Sequence, residues 1–145
     1  MLKVSSFGVR KGWIMGQDQP GKSPLILVVD DDELIRSLLE AVLARRGYRV
    51  VVAHDGEKAL DVVQQARPAA LICDIHMRGM NGFDVIRALQ ANPTTHQVPV
   101  ILLTGYEDDA DRAAAEAAGA VALLPKMRSW EPLIGQLEAL LEANS

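Results

Sequence analysis

Five short apolar runs alternate with five segments of helical periodicity, and this alternation limits the fold more than any other feature of the sequence. The runs lie at 25–29, 48–53, 69–73, 98–104 and 120–124. A short, continuously apolar run is typical of a strand that is buried on both faces. Strands joined through helices by short links form a parallel sheet with helices on both faces. The sequence therefore predicts an α/β fold with a doubly wound, five-stranded parallel sheet.

The segments between the apolar runs carry helix signals. In the first of them, apolar residues from Ile35 to Leu43 recur every three or four positions, and Gly47 follows as a natural stop. The other helices are predicted at 57–66, 83–91, 108–118 and 130–143. One domain over residues 25–143 accounts for all ten elements, which suits a chain of 145 residues.

Residues 1–24 lack a regular period and are rich in glycine and proline, so we expect a disordered N-terminal lead. Met15 is an alternative natural start. The segment Gly16–Ser23 matches the phosphate-binding pattern G-x-x-x-x-G-K-[ST]. That loop must follow a strand and open a helix, whereas here a strand follows it. We therefore interpret the match as a coincidence in a linker.

Composition excludes several functional classes. A net charge of −4 argues against direct nucleic-acid binding through bulk electrostatics. No apolar run approaches the roughly 20 residues of a membrane helix. The single cysteine, Cys73, excludes an internal disulfide framework and suits a reducing compartment, so we expect a cytoplasmic protein. Cys73 should point into the core and be inert.

Chemically active side chains follow four of the five predicted strands. Asp30 and Asp31 follow the first, Asp74 the third, Thr104 ends the fourth, and Lys126 comes just after the fifth. Ligands of open α/β sheets bind beyond the carboxyl ends of the strands, where the strand order reverses. We therefore expect these side chains to meet at one edge of the sheet.

Carboxylates that meet at one edge repel one another unless a cation lies among them. Mg²⁺ accepts carboxylate and phosphate oxygens and keeps several waters. Asp74 stands alone at its strand end and is a candidate nucleophile, because carboxylates can form aspartyl phosphates. Lys126 could neutralise phosphoryl charge, and the Thr104 hydroxyl could hydrogen-bond a phosphoryl oxygen. Alone, the acids at 30–33 would equally suit a helix N-terminus, an account that still applies to Asp32 and Glu33.

Four motifs resemble the receiver domains of two-component response regulators. They are "LVVDDDELIR", "LICDIHMRGMNG", "VILLTG" and "GAVALLPK", in this order and at fitting distances. The resemblance spans 25 to about 143 and implies a flavodoxin-like (βα)5 fold with strand order 2-1-3-4-5. It also implies a stand-alone, phosphorylation-dependent switch that has no enzymatic activity beyond its own phosphorylation and dephosphorylation.

The resemblance assigns a role to each candidate site residue. Asp74 would accept a phosphoryl group from a sensor histidine kinase or exchange it with a histidine phosphotransfer protein. Mg²⁺ would be held by Asp31 directly, by Asp30 through water, by Asp74 and by the backbone carbonyl of His76, whose ring we expect to be exposed. The phosphoryl group would draw in Thr104 and pair with Lys126. The division of the metal ligands among these residues is implied by the resemblance alone.

The family resemblance also implies partners. A downstream target protein, or a second copy in a homodimer, would dock on the fourth helix, fifth strand and fifth helix. That face would surround Arg112, Leu123, Lys126 and Trp130.

Three residues depart from the family pattern. Arg78 stands where proline is usual, Leu123 replaces a switching aromatic residue, and Met127 replaces the proline after the lysine. A non-proline cis bond costs roughly 3–4 kcal/mol, so we expect a trans path at Met127. These departures motivate an alternative function, a constitutive protein-binding module of the same fold without regulated switching.

A phosphohydrolase of the haloacid dehalogenase type is a second rival, because "DDD" contains D-x-D. That family has its nucleophile on the first strand and carries Thr or Val where Leu34 stands here. The isolated Asp74 on the third predicted strand argues against it.

Overall fold

The computed structural model describes residues 23–106, 108–126 and 129–143. The strands are β1 (Leu25–Val29), β2 (Arg49–Ala53), β3 (Ala70–Asp74), β4 (Val100–Thr104) and β5 (Ala122–Pro125). The helices are α1 (Glu33–Arg45), α2 (Gly56–Ala66), α3 (Gly82–Gln90), α4 (Asp109–Ala118) and α5 (Glu131–Ala143). All strand pairs are parallel, in the order β2-β1-β3-β4-β5, so the predicted fold class and strand order are confirmed.

Element boundaries differ from the predicted ones by one or two residues. Strand β4 begins at Val100 rather than at 98, and Pro99, which precedes it, has no N–H to donate to a neighbouring strand. Strand β5 begins at Ala122 rather than at 120, because the N–H of Ala120 closes the end of α4 on the carbonyl of Ala115. A proline thus delays the start of β4, and the closure of the preceding helix delays the start of β5.

The predicted lead and the phosphate-loop match fall almost wholly on residues that the structure leaves undescribed. The first described residues, Ser23 and Pro24, present their carbonyls to the Arg49 side chain and backbone N–H respectively. The lead over 1–24 therefore stays a prediction. Within the described segments, no helix is both long and apolar enough to cross a membrane.

The sheet separates two apolar cores, because successive residues of a buried strand point to opposite faces. Helices α1 and α5 cover one face, where Leu39 and Leu137 pack against strand residues such as Ile72. Helices α2, α3 and α4 cover the other face, where Val63 and Val85 pack. Burial on both faces explains why the strands are continuously apolar. The same packing on both faces holds the carboxyl ends of the strands at a common edge of the sheet.

Four helices begin at an acidic or amide residue that caps the helix. The side chains of Asp32, Asp55, Asn81 and Asp108 accept backbone N–H groups in the first turns of α1, α2, α3 and α4 respectively. Such caps satisfy donors that lack a partner inside the helix. The alternative account of the acid run therefore holds for Asp32 as the cap and for Glu33 in the first turn.

Gly82 allows α3 to begin directly beside the end of β3. A Cβ atom at this position would lie 2.8 Å from the carbonyl oxygen of Asp74 and 2.9 Å from Cδ2 of Leu102. The Gly82 N–H also donates to the carbonyl of Ile75 at 2.9 Å. The backbone that carries Asp74 is thus packed against a residue without a side chain.

We predict that Gly82→Ala lowers the free energy of unfolding by about 1–3 kcal/mol, because the added methyl group overlaps backbone and side-chain atoms. Gly135 in the exposed face of α5 is the matched control, since a Cβ there would meet nothing within 4 Å. Gly135→Ala should raise the free energy of unfolding by about 0.5–1 kcal/mol. Urea unfolding measures both, and equal effects would contradict the close approach at Gly82.

Candidate functional site

The chain reverses direction across the sheet at β1, which lies between β2 and β3. Asp30 follows β1 directly and Asp74 ends β3, so the two residues stand on neighbouring strands at this reversal. Both are buried, with 1 % and 3 % of their surface exposed. Asp31, one residue farther along the loop, is exposed. The structure therefore brings the three predicted acids to one edge.

Lys126 lies between the two buried carboxylates. Its Nζ atom is 2.8 Å from Asp30 Oδ2 and 3.3 Å from Asp74 Oδ1, and its side chain is 12 % exposed. Two like charges taken out of water are costly unless a partner of opposite charge is close. Lys126 supplies that partner, although the loop after it departs from the family pattern.

The three acids fit a hard cation. One carboxylate oxygen from each of Asp30, Asp31 and Asp74 lies within 4.8 Å of the others. Asp30 Oδ1 accepts the N–H of Asp32 at 2.9 Å. Within the described residues, Asp30 Oδ2 is buried and contacts the ammonium of Lys126 at 2.8 Å, without the alignment of a regular hydrogen bond. A set of three carboxylates that offers only oxygen ligands is the donor chemistry of Mg²⁺ or a similar divalent ion.

Burial and charge shift the pKa values of this cluster. Burial, assisted by the charge of Asp30, raises the pKa of Asp74 to about 6, although Lys126 opposes the shift. Burial alone would lower the pKa of Lys126, but the carboxylates of Asp30 and Asp74 outweigh it and the pKa is raised. Lys126 therefore remains a cation, and the ionised form of Asp74 is disfavoured in the folded protein.

The Thr104 hydroxyl is occupied within its own loop. It donates to the carbonyl of Tyr106 at 2.6 Å and accepts the Tyr106 N–H at 3.1 Å. The Thr104 carbonyl accepts the backbone N–H of Lys126 at 2.9 Å. Thr104 is 1 % exposed, whereas Tyr106 is 72 % exposed. Before this hydroxyl can hydrogen-bond a ligand at the acid cluster, its hydrogen bonds to the backbone of Tyr106 must break.

His76 connects the loop after β3 to α4. Its backbone N–H donates to Asp74 Oδ1 at 3.4 Å. Its ring is exposed, as predicted, and its Nε2 atom lies 3.1 Å from Oδ2 of Asp111 in the first turn of α4. The sequence did not predict this pair, because in the sequence Asp111 is only one of several acids near the start of a predicted helix.

The sequence did not predict two further residues of the site. Arg36 donates from Nη1 to the carbonyl of Asp30 at 2.7 Å, and Gly82 makes room for the backbone of Asp74. For Gly82, its place after "RGMN" at a predicted helix start was an available signal. For Arg36, the helical pattern indicates only a polar position.

The three departures from the family pattern have different settings. Arg78 is exposed on the loop after β3, and Leu123 is buried in β5 with 8 % of its surface exposed. Met127 lies outside the described residues, so its predicted trans bond stays a prediction. Cys73 is fully buried, as predicted, and burial raises the pKa of its thiol.

A sheet of this order, with acids and a lysine at its switch point, fits the class of receiver domains that the four sequence motifs resemble. The family model described as response regulator receiver domain matches residues 26–138. The chain belongs to the response regulator receiver domain family.

Known proteins agree with this membership. Response regulator MprA of Mycobacterium avium is 40 % identical over 116 residues, which cover 80 % of this chain and 50 % of the relative. The chain thus spans about half the length of the curated relatives that it matches.

Solved structures share the fold as well. A Chloroflexus aurantiacus protein described as a response regulator is 33 % identical, with a TM-score of 0.79 over 83 % of this chain and 99 % of that one. Chemotaxis protein CheY4 of Vibrio cholerae is 30 % identical, with a TM-score of 0.76 over 81 % and 98 % of the respective chains.

We predict that Asp74→Asn stabilises the protein in the presence of a chelator at pH 7 by roughly 1–2 kcal/mol, less than the full value of a two-unit pKa shift. The raised pKa means that an ionised Asp74 costs folding free energy. The wild type should therefore lose stability relative to the variant as the pH rises from about 4 to about 6. Above that range the difference should stay constant.

Urea unfolding across this pH range measures the difference. Asp61→Asn, which changes an exposed carboxylate on α2, is the control and should stay within about 0.5 kcal/mol of the wild type. A destabilised Asp74→Asn variant would show that the acid cluster does not strain the folded state.

Proposed function

We propose that this chain is a phosphorylation-dependent signalling switch in which Asp74 accepts a phosphoryl group with the help of Mg²⁺. The observation that carries the proposal is the convergence of Asp30, Asp31 and Asp74, two of which, Asp30 and Asp74, also contact Lys126. A structural ion pair needs one carboxylate for one ammonium. A surplus of carboxylates at a sheet switch point suits a site that binds a cation and an anionic group together.

The residues that would hold Mg²⁺ are Asp30, Asp31, Asp74 and, through its backbone carbonyl, His76. When bound, the ion supplies positive charge that neutralises phosphoryl oxygens. Lys126 supplies a second positive charge at 3.3 Å from Asp74 Oδ1. Because the ammonium favours the ionised form of Asp74, it also helps to keep the nucleophile deprotonated.

The donor that we propose is a phosphohistidine of a sensor histidine kinase or a histidine phosphotransfer protein. An oxygen of Asp74 forms the new P–O bond as the P–N bond to the imidazole breaks. The imidazole nitrogen keeps the bonding electron pair and takes a proton from solvent. The chain thus acts on its own carboxylate, and water later releases the phosphate in the same site. We place this reaction in the cytoplasm, in line with the free Cys73.

Intact-mass spectrometry tests the chemistry. After incubation with Mg²⁺ and acetyl phosphate, the wild type should gain one phosphoryl group, and Asp74→Asn should gain none. The wild type with excess chelator should also stay unmodified. Asp61→Asn, the exposed-carboxylate control, should react like the wild type. Phosphorylation of the Asp74→Asn variant, or an unmodified wild type that still binds Mg²⁺, would refute Asp74 as the acceptor.

We further propose that Thr104 carries the signal away from the site. A phosphoryl group on Asp74 would compete with Tyr106 for the Thr104 hydroxyl. The carbonyl of Thr104 also holds the N–H of Lys126, just after β5. A shift of Thr104 would therefore move the end of β5 and the loop before α4, which biases two states of one surface.

The surface that we propose for docking consists of α4, β5 and α5. A groove of about 170 Å³ between α4 and β5 is lined by Arg112, Glu116 and Leu123, among others. Val121 at its edge is 42 % exposed. Apolar and charged groups side by side suit a protein partner, either a downstream target or a second copy of the chain. Leu123 fills the place of the family's switching aromatic residue, so its packing rather than a ring rotation would report the change.

Amide spectra distinguish the switch from the constitutive module. On phosphorylation with acetyl phosphate, a switch should shift amide signals of residues 115–124 as well as those beside Asp74. Thr104→Val, which removes the hydroxyl at similar volume, should keep the local shifts and lose most of the remote ones. Thr104→Ser, which keeps the hydroxyl, is the matched control and should resemble the wild type. Shifts confined to the site in every variant would favour the constitutive module.

A further inference from the structure

Arg36 reaches back from the first turns of α1 to the loop that carries the acids. Its Nη1 atom donates to the carbonyl of Asp30 at 2.7 Å, across six positions of the sequence. The side chain is partly buried. Within the described residues it forms no ion pair with a carboxylate, although the acid cluster is close by. The guanidinium therefore holds a neutral backbone carbonyl beside the three acids.

This contact holds the point at which the chain leaves the sheet. The Asp30 N–H donates to the carbonyl of Ala53 in β2 at 3.2 Å. The Asp30 side chain accepts the N–H of Asp32 at 2.9 Å. The carbonyl of Asp30 is the remaining backbone polar group of the residue, and Arg36 is its described partner. This carbonyl belongs to the peptide group that joins Asp30 to Asp31, and Asp31 is the exposed member of the acid cluster.

We propose that Arg36 is a positioning residue of the cation site: it fixes the Asp30–Asp31 peptide and thereby the direction of the Asp31 carboxylate. This inference rests on the proposed function, since it requires that the acids bind Mg²⁺. Partners that orient metal ligands from behind contribute to affinity without touching the metal.

The direction in which Mg²⁺ affinity changes when Arg36 is replaced distinguishes a positioning role from a purely electrostatic one. Arg36 carries a positive charge near a cation site, so its charge alone opposes Mg²⁺ binding. Removal of the charge would then tighten binding. If Arg36 positions the ligands, its removal weakens binding even though the local charge becomes more negative. A merely structural role would lower stability and leave the affinity of the folded protein unchanged.

Isothermal titration calorimetry of the full chain with MgCl₂, at constant ionic strength, tests the proposal. Arg36→Met keeps the apolar stem and should raise the Kd by about tenfold, the lower end of the loss seen for partners of metal ligands. Arg36→Lys keeps a donor and the charge and should recover most of the affinity. Arg45→Ala is the matched control, because it removes the same charge from the exposed last turn of α1 and should leave the Kd near that of the wild type.

Thermal unfolding in chelator shows which variants are folded. If Arg36→Met does not fold, the Arg36→Gln variant replaces it in the test. For this variant too, a positioning role predicts weaker Mg²⁺ binding than in the wild type, whereas electrostatics alone predicts tighter binding. Binding equal to or tighter than that of the wild type in the folded neutral variant would overturn the role of Arg36. A wild type that binds no Mg²⁺ would instead overturn the proposed function.

Discussion

The placement of Lys126 between the carboxylates of Asp30 and Asp74 is the interaction on which the site depends. Two negative charges that are almost wholly withdrawn from water are costly in free energy, and the ammonium of Lys126 compensates for only one of them. The surplus negative charge appears in the raised pKa of Asp74. Unpaired charge of this kind disfavours the folded state, and it lies where we propose that a cation binds.

The sheet makes this arrangement possible. Because β1 and β3 are neighbours, although β2 lies between them in sequence, Asp30 and Asp74 end adjacent strands. Packed helices on both faces keep those ends at one level, and Gly82 lets α3 start against the backbone of Asp74. A rigid scaffold of this kind can hold mutually repelling groups in place.

Lys126 also joins the site to the rest of the domain. Its ammonium contacts the acids, while its backbone N–H is bonded to the carbonyl of Thr104. The Thr104 hydroxyl in turn is bonded to Tyr106, and His76 bridges the loop after β3 to Asp111 in α4. The acid cluster, the end of β4, the end of β5 and α4 therefore form one connected set of polar contacts. A change of charge at Asp74 would act on all of them.

By itself, the sequence determined the alternation of elements, the fold class, the burial of Cys73 and the placement of Asp30, Asp31, Asp74, Thr104 and Lys126 at strand ends. It also indicated the role of Asp32 and Glu33 at a helix start. These features depend on periodicity and on contacts between near neighbours, which a linear pattern records.

Only the tertiary structure decided which groups touch. It paired Lys126 with both buried acids, turned the Thr104 hydroxyl toward Tyr106, joined His76 to Asp111 and directed Arg36 to the carbonyl of Asp30. Such contacts depend on the paths of loops and on the competition of several donors for one acceptor. A pattern of residue types carries neither of these, because both arise only when distant segments meet in space.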